Sequence, residues 1–547
     1  MLRAFIRDWL VPPAATRLIS RWRAPKTQKF WRGQPLAAAP RDAAYFSAAG
    51  YKALTLTCED DSRSAASLAA GASVLPIERT EGDHVQLAVT ADAWAPHDRL
   101  TIRAGASSVE HSALRARQWL DVRLPWTPGS HITLESTASL YCTMPRPVRT
   151  VPARESGIRH VLVLILDGLT PYLAPQGGHH APNIERFFRD GFLAANGWAT
   201  GEWTLPTTAS FFTGIYTPRH GMYHPTRPTQ PPRRPLLAEL MQANGYHTLA
   251  LSTANRLTPA YGTHRGFDRF LYHWPYPGYT SKDYDPARWC DEILGHLDTH
   301  RHDRSFIYAQ FPDTHPAWNI GPLTRAFNLQ RRGNSTGLDL DALRSHPDGG
   351  EQGKQLNAIR LRELDRMLAG VFLFIEREIS DTTLVILTSD HGTPWFPLRR
   401  NRPADEPYLV DHRTHVEFRM RGPGVPARRL DALCSPTIDF LPTLLKAAGL
   451  QAPADLDGRD LLDAGYRRPV AVSESLYGGV YEIAVRDGRR AWFEKYPMSD
   501  EPLAVSGPAT YAKGFAVGTA DYASPLEGDF SDLQAAARVH REAVRMA

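Results

Sequence analysis

The feature that most constrains the fold is an apolar run, HVLVLIL, at residues 160–166. A strand that faces water on one side alternates apolar and polar residues, whereas a strand covered on both faces is apolar throughout. A second run of this kind, TLVILTS, occupies residues 383–389. Helical stretches such as NIERFFRDGF and LLAELMQANGY lie between the two runs. Strands that alternate with helices predict an α/β fold with a doubly wound, mostly parallel sheet.

Four segments of different character divide the chain. Residues 1–48 form a basic lead, residues 49–150 contain short alternating strands, residues 157–465 carry the α/β pattern, and residues 466–547 form a small α+β appendage that ends in a helix. The alternation in the second segment, as in WLDVRL and HITLES, predicts an antiparallel β-sandwich. Sandwiches serve many functions, so a structural role, which we favour, and sugar binding both stay open.

Composition excludes several classes of protein. With 547 residues, 42% of them hydrophobic and 22% charged, the chain is globular and too long for one ordinary domain. Its four cysteines are far apart and form neither a CxxC metal pair nor a disulfide framework. A net charge of +5 without an aromatic-basic module argues against nucleic-acid binding. No membrane span or signal peptide is recognised in the sequence, which predicts a cytoplasmic location.

The basic residues are concentrated at the N-terminus. Residues 1–41 hold nine Arg or Lys against one acid. The apolar residues of the first ten positions fall at helical spacing: Leu2, Phe5, Ile6, Trp9 and Leu10. We favour a helix that docks on its own protein, because amphipathic helices usually face their own core. The alternative is that residues 1–35 contact a partner or a membrane surface, which would make the protein peripheral at the membrane.

Polar residues directly follow the two apolar runs. Asp167 follows the first run, and Asp390 and His391 follow the second. Ligands of open α/β sheets bind beyond the carboxyl ends of the strands, so these side chains are expected to converge on a divalent cation. Two carboxylates and one imidazole suit Mn²⁺, Zn²⁺ or Fe better than Ca²⁺, which prefers a cage of oxygen atoms. The alternative is that each aspartate only caps a helix.

A third element is the segment GEWTLPTTASFFTGIYTPRHG at residues 201–221. Its sequence predicts a turn at Pro206 and a helix that ends at Gly214. Thr204 would then lie at the helix N-terminus, where backbone N–H groups and the helix dipole favour an anion. A hydroxyl at that position beside a metal ion can attack a phosphorus or sulfur centre. The alternative is that Thr204 or Thr207 only caps the helix.

In their order along the chain, these motifs resemble those of the sulfatases of the alkaline phosphatase superfamily. The resemblance covers about residues 157–465. It rests on LDG (166–168), WTLPTTASFFTGIYTPRHG (203–221), DTHPAW (313–318), TSDHG (388–392), HRTHVEFRMRGPGV (412–425) and IDFLPTLLKAAGL (438–450). The resemblance implies an alkaline-phosphatase-like fold and hydrolysis of an ester bond.

The departures from the family pattern carry functional information. Sulfatases of this type convert a Cys or Ser, in a C/S-x-P-x-R context, into formylglycine, whereas this chain has Thr204 there and Thr208 in place of the Arg. Oxidation of a threonine would give a ketone, so no formylglycine is expected. Where the family has a pair of acidic residues after the first strand, this chain has Asp167 and Gly168, so the second acid is missing. His391 occupies the position where calcium sulfatases have Asn.

Roles for the remaining site residues follow from the resemblance. His315 matches a histidine of the family that contacts the substrate. The stretch that should hold the family's leaving-group lysine lacks one, and His412 is its best substitute, with Arg413 and His415 as competitors for that role. Four residues are assigned to substrate binding: Asn255, Asp313, Arg413 and His415. A second metal site using Asp313, His315 and His412 is the less favoured alternative to one metal ion.

A threonine nucleophile with Asp-Gly and Asp-His motifs resembles the superfamily's phosphodiesterases, phosphonate monoester hydrolases and phosphoryl transferases. We therefore predict a metal-dependent hydrolase of phosphate diesters or phosphonate monoesters with a covalent phospho-threonine intermediate. One divalent ion would be held by Asp167, Thr204, Asp390 and His391. The alternatives are a sulfatase without formylglycine, a phosphoryl or sulfuryl transferase acting on a glycan or lipid, and an inactive binding protein. The natural substrate and the oligomeric state, a homo-oligomer included, stay open.

Overall fold

The structure, a computed structural model, describes most of the chain between residues 36 and 546. The described residues are 36–58, 60–77, 82–150, 157–171, 180–223, 234–254, 256–272, 286–315, 349–393, 406–477, 479–500, 503–519, 522 and 524–546. The helix predicted within residues 1–35 and the predicted site residue Asn255 lie outside them. None of the described helices has the length and hydrophobicity of a membrane-spanning segment.

The strands and helices of the described residues follow the predicted order. The strands are β1 (Leu36–Ala37), β2 (Ala53–Cys58), β3 (Asp61–Leu68), β4 (Gly71–Leu75), β5 (His84–Thr90), β6 (Leu100–Ala104), β7 (Ser107–His111), β8 (Leu120–Pro125), β9 (Ile132–Ser136), β10 (Leu140–Thr143), β11 (Arg146–Val148), β12 (His160–Leu166), β13 (Phe192–Trp198), β14 (Tyr246–Ser252), β15 (Arg269–Tyr272), β16 (Arg304–Phe311), β17 (Thr383–Thr388), β18 (His415–Arg421), β19 (Arg428–Leu430), β20 (Ala471–Tyr477), β21 (Val480–Arg486), β22 (Arg490–Asp500), β23 (Leu503–Val505) and β24 (Tyr511–Ala516). The helices are α1 (Pro40–Ala48), α2 (Pro182–Phe188), α3 (Thr204–Thr213), α4 (Thr217–His220), α5 (Leu237–Ala243), α6 (Pro286–Thr299), α7 (Gly349–Phe374), α8 (Asp411–Thr414), α9 (Pro436–Ala447) and α10 (Ser531–Met546).

A mostly parallel sheet forms the centre of the molecule. Its parallel strands lie in the order β15-β14-β16-β12-β17, and β18 and β13 follow beyond β17, with β18 antiparallel to both. Alternate residues of β12 enter two different cores, with Val163 on one face of the sheet and Leu164 on the other. Burial on both faces explains why β12 is apolar throughout. The predicted α/β class is confirmed.

The N-terminal strands form two antiparallel layers. One layer has the order β4-β9-β6-β7, and the other contains β2, β3, β5, β8, β10 and β11. Apolar residues from both layers, such as Leu87 and Ile102, share one core. Tyr45 and Phe46 of α1 join this core, so the end of the predicted basic lead packs on the antiparallel strands rather than standing apart from them.

The antiparallel layer and the central sheet form one continuous sheet. Strand β3 pairs antiparallel with β15, Ser62 opposite Phe270 and Asp61 opposite Leu271. Asp61 also accepts hydrogen bonds from Arg63 at 2.7 Å and from Arg269 at 3.2 Å. Burial by itself would raise the pKa of Asp61, but the two guanidinium groups hold it below its usual range. The junction is therefore joined by backbone pairing and by a buried ion-pair cluster.

A second antiparallel sheet follows at the C-terminus. Its strands lie in the order β20-β21-β22-β23, with β24 paired to β22. Leu533 and Ala537 of α10 pack against Ile483 and other apolar residues of this sheet. The predicted C-terminal strands and final helix are present, and β20 contacts the segment that leads into α3, as described below.

Candidate functional site

Two aspartates meet where the parallel strands β12 and β17 end. Asp167 directly follows β12, and Asp390 lies two residues beyond β17; both are buried. Gln310 of the neighbouring strand β16 donates hydrogen bonds to both carboxylates, at 3.0 Å to Asp167 and 3.4 Å to Asp390. The backbone N–H groups of Gly168 and His391 donate to the other oxygen of Asp390. The two carboxylates are thus held side by side at the carboxyl edge of the sheet.

His391 completes a set of groups that fits a divalent metal ion. Its Nδ1–H donates to the carbonyl of Gly392 at 2.8 Å, which leaves the lone pair on Nε2. Nε2 lies 3.5 Å from an oxygen of Asp167 and 3.5 Å from an oxygen of Asp390. The Oδ1 atom of Asp167 is buried and has no hydrogen-bond partner in the described structure. Buried carboxylates and one imidazole nitrogen are donors that Mn²⁺, Zn²⁺ and Fe accept.

The electrostatics of Asp167, Asp390 and His391 also favour a bound cation. Burial and the neighbouring carboxylate of Asp390 raise the pKa of Asp167 to about 8, against a smaller opposing effect of His391 and Gln310. Burial lowers the pKa of His391, but the two aspartates raise it above its ordinary value. Adjacent buried carboxylates repel each other, and a bound cation removes that repulsion.

Thr204 begins helix α3, which packs against strand β16. The helix ends at Gly214 in a left-handed conformation, as predicted. Phe212 of the helix meets the ring of Tyr308 on β16 edge-on at 5.0 Å. Thr208 lies one turn before Phe212 and one turn after Thr204, so all three share one face of the helix. This face is turned toward β16, the strand whose Gln310 binds the two aspartates.

His315 is brought to the same place. One of its ring nitrogens lies within 4.8 Å of ligand atoms of both Asp167 and His391, and its ring meets that of His391 edge-on at 6.0 Å. The preceding residue, Thr314, donates a hydrogen bond to the backbone carbonyl of Asp167 at 2.8 Å. This bond fixes the segment with His315 to the end of β12.

Gly168 explains why the second acid of the family pattern is missing. Its φ is +72°, a left-handed conformation that favours glycine. A Cβ atom at this position would lie 2.6 Å from the hydroxyl oxygen of Thr393 and 3.4 Å from the Cα atom of His315. The left-handed backbone and the contact with Thr393 therefore both disfavour a side chain at this position.

We expect Gly168→Ala to destabilise the protein more than Gly221→Ala does. Gly221 has nearly the same φ, +70°, but a Cβ atom there would meet nothing within 4 Å. The control therefore measures the conformational cost alone, about 1–2 kcal/mol. Urea unfolding measures the loss of stability in each variant. The difference between the two losses is the cost of the contact with Thr393. Equal losses of stability would contradict this explanation.

The segment with His412 and Arg413 lies against the metal-ligand segment. The N–H of Gly392 donates to the carbonyl of Arg413 at 2.7 Å, and a Cβ atom at Gly392 would lie 2.2 Å from the carbonyl oxygen of His412. The guanidinium of Arg413 stacks over the ring of Tyr408 at 3.8 Å. The two segments are therefore in direct backbone contact.

The C-terminal sheet holds this segment through buried charged groups. Arg486 of β21 is fully buried and forms an ion pair with Asp411 at 3.1 Å. It also donates to the carbonyl of Leu409 at 2.5 Å. The carboxylate of Glu482 accepts the N–H groups of Tyr408 and Leu409. The position of His412 thus depends on strand β21.

Replacing Arg486 with methionine should therefore destabilise the protein by about 3–5 kcal/mol, since the charge of Asp411 would stay buried without its partner. Arg490→Met, in the next strand, removes a partly exposed arginine whose ion pairs with Asp487 and Asp532 are near the surface, and it should change stability little. Chemical denaturation compares the two variants. If Arg490→Met lost as much stability as Arg486→Met, a special contribution of the buried Arg486–Asp411 ion pair would be refuted.

Two predicted residues have other neighbours. The carboxylate of Asp313 is buried in an ion pair with Arg360 of α7 at 3.0 Å. The Nε2–H of His415 donates to the carbonyl of Ala195 at 3.2 Å, and its ring stacks on Trp198. These contacts give both residues a structural function, and their contact with substrate stays a prediction.

Three further residues at this place were not predicted. Gln310 and Tyr308 are polar residues inside an apolar strand, SFIYAQF, and that interruption was the signal that could have revealed them. Glu202, two residues before Thr204, is buried and accepts a hydrogen bond from the hydroxyl of Ser475 on β20 at 2.7 Å. Its negative charge contributes to the raised pKa of His391, so it belongs to the same electrostatic group.

A mostly parallel sheet whose strand ends carry Asp167, Asp390 and His391, with a helix beginning at Thr204, defines a member of the alkaline phosphatase superfamily. The sequence profile of the family described as Sulfatase matches residues 159–450, more than half of the chain. The chain belongs to the sulfatase family. Divalent-metal binding is general in this family, in agreement with the donor set described above.

Relatives and solved structures agree with this assignment. N-acetylgalactosamine-6-sulfatase of Canis lupus familiaris is 24% identical over 352 residues, a match that covers 56% of this chain and 65% of that protein. Arylsulfatase K of Mus musculus is 32% identical over 101 residues, 18% of each chain. A 2-O GAG sulfatase shares the fold with a TM-score of 0.52 at 17% identity, over 71% of this chain and 91% of that one. A phosphonate monoester hydrolase from Silicibacter pomeroyi gives 0.50 at 18%, over 71% and 94%.

Proposed function

We propose that this protein is a metal-dependent hydrolase of phosphate diesters or phosphonate monoesters that uses Thr204 as its nucleophile. The observation that carries the proposal is the approach of His391 Nε2 to within 3.5 Å of both Asp167 and Asp390. Helix α3, which begins with Thr204, packs on strand β16, whose Gln310 donates to both aspartates. A threonine in place of the Cys or Ser that yields formylglycine retains a hydroxyl that can attack phosphorus directly.

Each residue has a distinct part in the reaction. Asp167, Asp390, His391 and the Thr204 hydroxyl would hold one divalent ion. When bound, such an ion lowers the pKa of a hydroxyl and neutralises charge on the substrate. The Thr204 hydroxyl releases its proton to solvent, and its oxygen forms a bond to phosphorus as the bond to the leaving alcohol breaks, which gives a phospho-threonine. Water then attacks this ester and restores the threonine.

The two histidines complete the sequence. His315 lies beside the metal-ligand group and is suited to bind an oxygen of the substrate that does not react. His412 is half-buried, and its backbone abuts Gly392. Its imidazole would give a proton to the leaving alcohol, because an ordinary histidine pKa lies near neutral pH. Arg413 is its competitor for this role.

Hydrolysis of a sulfate ester is the second candidate function. The relatives named above are sulfatases, and sulfate has the same shape as phosphate. The structure of another neighbour holds D-glucosamine-2-N,6-O-disulfate, which makes a glycan-linked ester a reasonable substrate class to test. A cytoplasmic location stays a prediction, since one relative is named an extracellular sulfatase homolog, from Drosophila melanogaster.

Turnover of four matched nitrophenyl esters with added Mn²⁺ or Zn²⁺ tests the proposal: phosphate monoester, phosphate diester, phosphonate monoester and sulfate. We expect the diester or the phosphonate to react fastest. Turnover of the sulfate alone would replace the phosphoester proposal with the sulfatase one. With metal bound but no ester turned over, an acceptor alcohol added to the assay would reveal a transferase.

A further inference from the structure

A second group of metal-ligating side chains lies at the opposite edge of the central sheet. His247 is the second residue of β14, His300 follows α6 directly, and Asp303 directly precedes β16. All three are buried. One nitrogen of each histidine and one carboxylate oxygen lie within 4.8 Å of one another. The catalytic candidates follow the carboxyl ends of strands, whereas this trio lies at their amino ends.

One nitrogen atom of this trio is buried without a hydrogen-bond partner. The Nδ1 atom of His300 is buried without a hydrogen bond and lies 3.9 Å from Oδ2 of Asp303. The carboxylate of Asp303 accepts the N–H of Arg149 at 2.9 and 3.0 Å, which orients it toward the histidines. The rings of His247 and His300 stack with their centroids 4.1 Å apart. A buried imidazole nitrogen without a partner is costly unless something binds it.

A cavity of about 490 Å³ adjoins the trio, between the N-terminal antiparallel layer and the central sheet. His247 and His300 line its wall, so water can reach them from this side. Arginines also line the cavity, but Arg146 is paired with Asp268, and Arg269 with Asp61 and Glu292. Arg123 donates to the carbonyls of Thr299 and Arg149, so the acids compensate the positive charges around the trio only in part.

We propose that His247, His300 and Asp303 bind a divalent transition-metal ion of the Zn²⁺ class, independently of the catalytic metal. Two nitrogen donors and one carboxylate, with a fourth position open to water in the cavity, make a tetrahedral Zn²⁺ site. Zn–N bonds of about 2.0–2.1 Å require the ligand atoms to approach to roughly 3.3 Å, so binding requires the rings of His247 and His300 to rotate out of their stacked arrangement. The ion would join β14, α6 and β16 beneath the antiparallel layer.

Metal content of the full chain, purified in excess Zn²⁺ and then desalted, tests this site. We expect two Zn²⁺ per chain, one in Asp390→Ala, one in His300→Ala and none in the double variant. His160→Gln is the control: this buried histidine at the start of β12 pairs with Ser305 and is outside the trio, so it should retain two ions. Should His300→Ala fail to fold, Asp303→Asn serves in its place.

Thermal unfolding with added Zn²⁺ separates the two sites. In Asp390→Ala, Zn²⁺ should still raise Tm, and this rise should vanish when His300→Ala is added. If the wild-type chain holds only one Zn²⁺ and both His300→Ala and Asp303→Asn retain it, the proposal is overturned and the catalytic metal is left intact. If the wild-type chain holds only one Zn²⁺, and Asp390→Ala retains it while His300→Ala loses it, this site stands and the catalytic one is contradicted. A Tm rise in Asp390→Ala with inorganic phosphate and none with Zn²⁺ would also overturn it.

Discussion

Thr204→Ala should reduce turnover of the preferred ester by a factor on the order of 10⁴ or more, because it removes the atom that attacks the substrate. Thr204 is buried at the start of α3, where the mutation deletes one hydroxyl and one methyl group and leaves the helix intact. Steady-state kinetics with metal in excess measures the effect. Thr204→Ser restores a hydroxyl and should recover part of the activity.

Thr207→Ala is the matched control for this prediction. Thr207 lies three residues later in the same helix, and its hydroxyl donates to the backbone carbonyls of Trp203 and Thr204. Loss of this bond should cost about 1 kcal/mol of stability and little activity. A Thr204→Ala variant with near wild-type turnover, with the metal content unchanged, would exclude a threonine nucleophile. A covalent adduct on Thr204, detected by mass spectrometry after rapid quenching, would support it.

Asp390→Asn should weaken binding of the catalytic metal by at least about 100-fold and abolish turnover. Asp390 contacts His391, Gly168 and Gln310, so its carboxylate lies at the centre of the group. The amide also removes the repulsion that Asp167 experiences, so the metal-free variant should be more stable than the metal-free wild type. Unfolding curves measured without Mn²⁺ should show Asp390→Asn as the more stable protein. With Mn²⁺ present the wild type should be the more stable, since a metal at a hundredfold excess over Kd adds about 2.7 kcal/mol to the stability of the protein that binds it.

Asp365→Asn is the control variant, because Asp365 is a buried aspartate that is not a proposed metal ligand. Asp365 of α7 accepts hydrogen bonds from the N–H of Ile184 and the side chain of Asn183, at the start of α2. Its replacement should lower stability but leave metal affinity and turnover in place. Metal affinity that falls equally in both variants would mean that general loss of packing, and not loss of a ligand, explains the result.

The sequence was sufficient for the ends of β12 and β17, because a strand buried on both faces reads as an apolar run, and the first charged or imidazole side chains after the two runs are Asp167, Asp390 and His391. It did not reveal Gln310 or Glu202. Gln310 reaches the carboxylates only because β16 pairs with β12, and Glu202 reaches its partner only because Ser475 of the C-terminal sheet is adjacent. Such contacts join residues 80 to 273 positions apart.

The same limit applies to Asp313. It stands two residues before His315, and the spacing alone could not show that Arg360 engages its carboxylate. The long helix α7 decides this contact, since it packs across the sheet with Leu361 and Leu364 buried. Whether a polar residue near a site faces the substrate or an ion-pair partner depends on what packs behind it, and single motifs do not contain that information.

The pairing of β3 with β15 has a consequence for the edge of the central sheet. The free edge of a sheet presents a row of unpaired N–H and C=O groups that can recruit other chains. Here β3 covers the β15 edge through Ser62 and Asp61, and the charged residues Arg63 and Arg269 surround the junction. The antiparallel layer thus caps this edge of the central sheet.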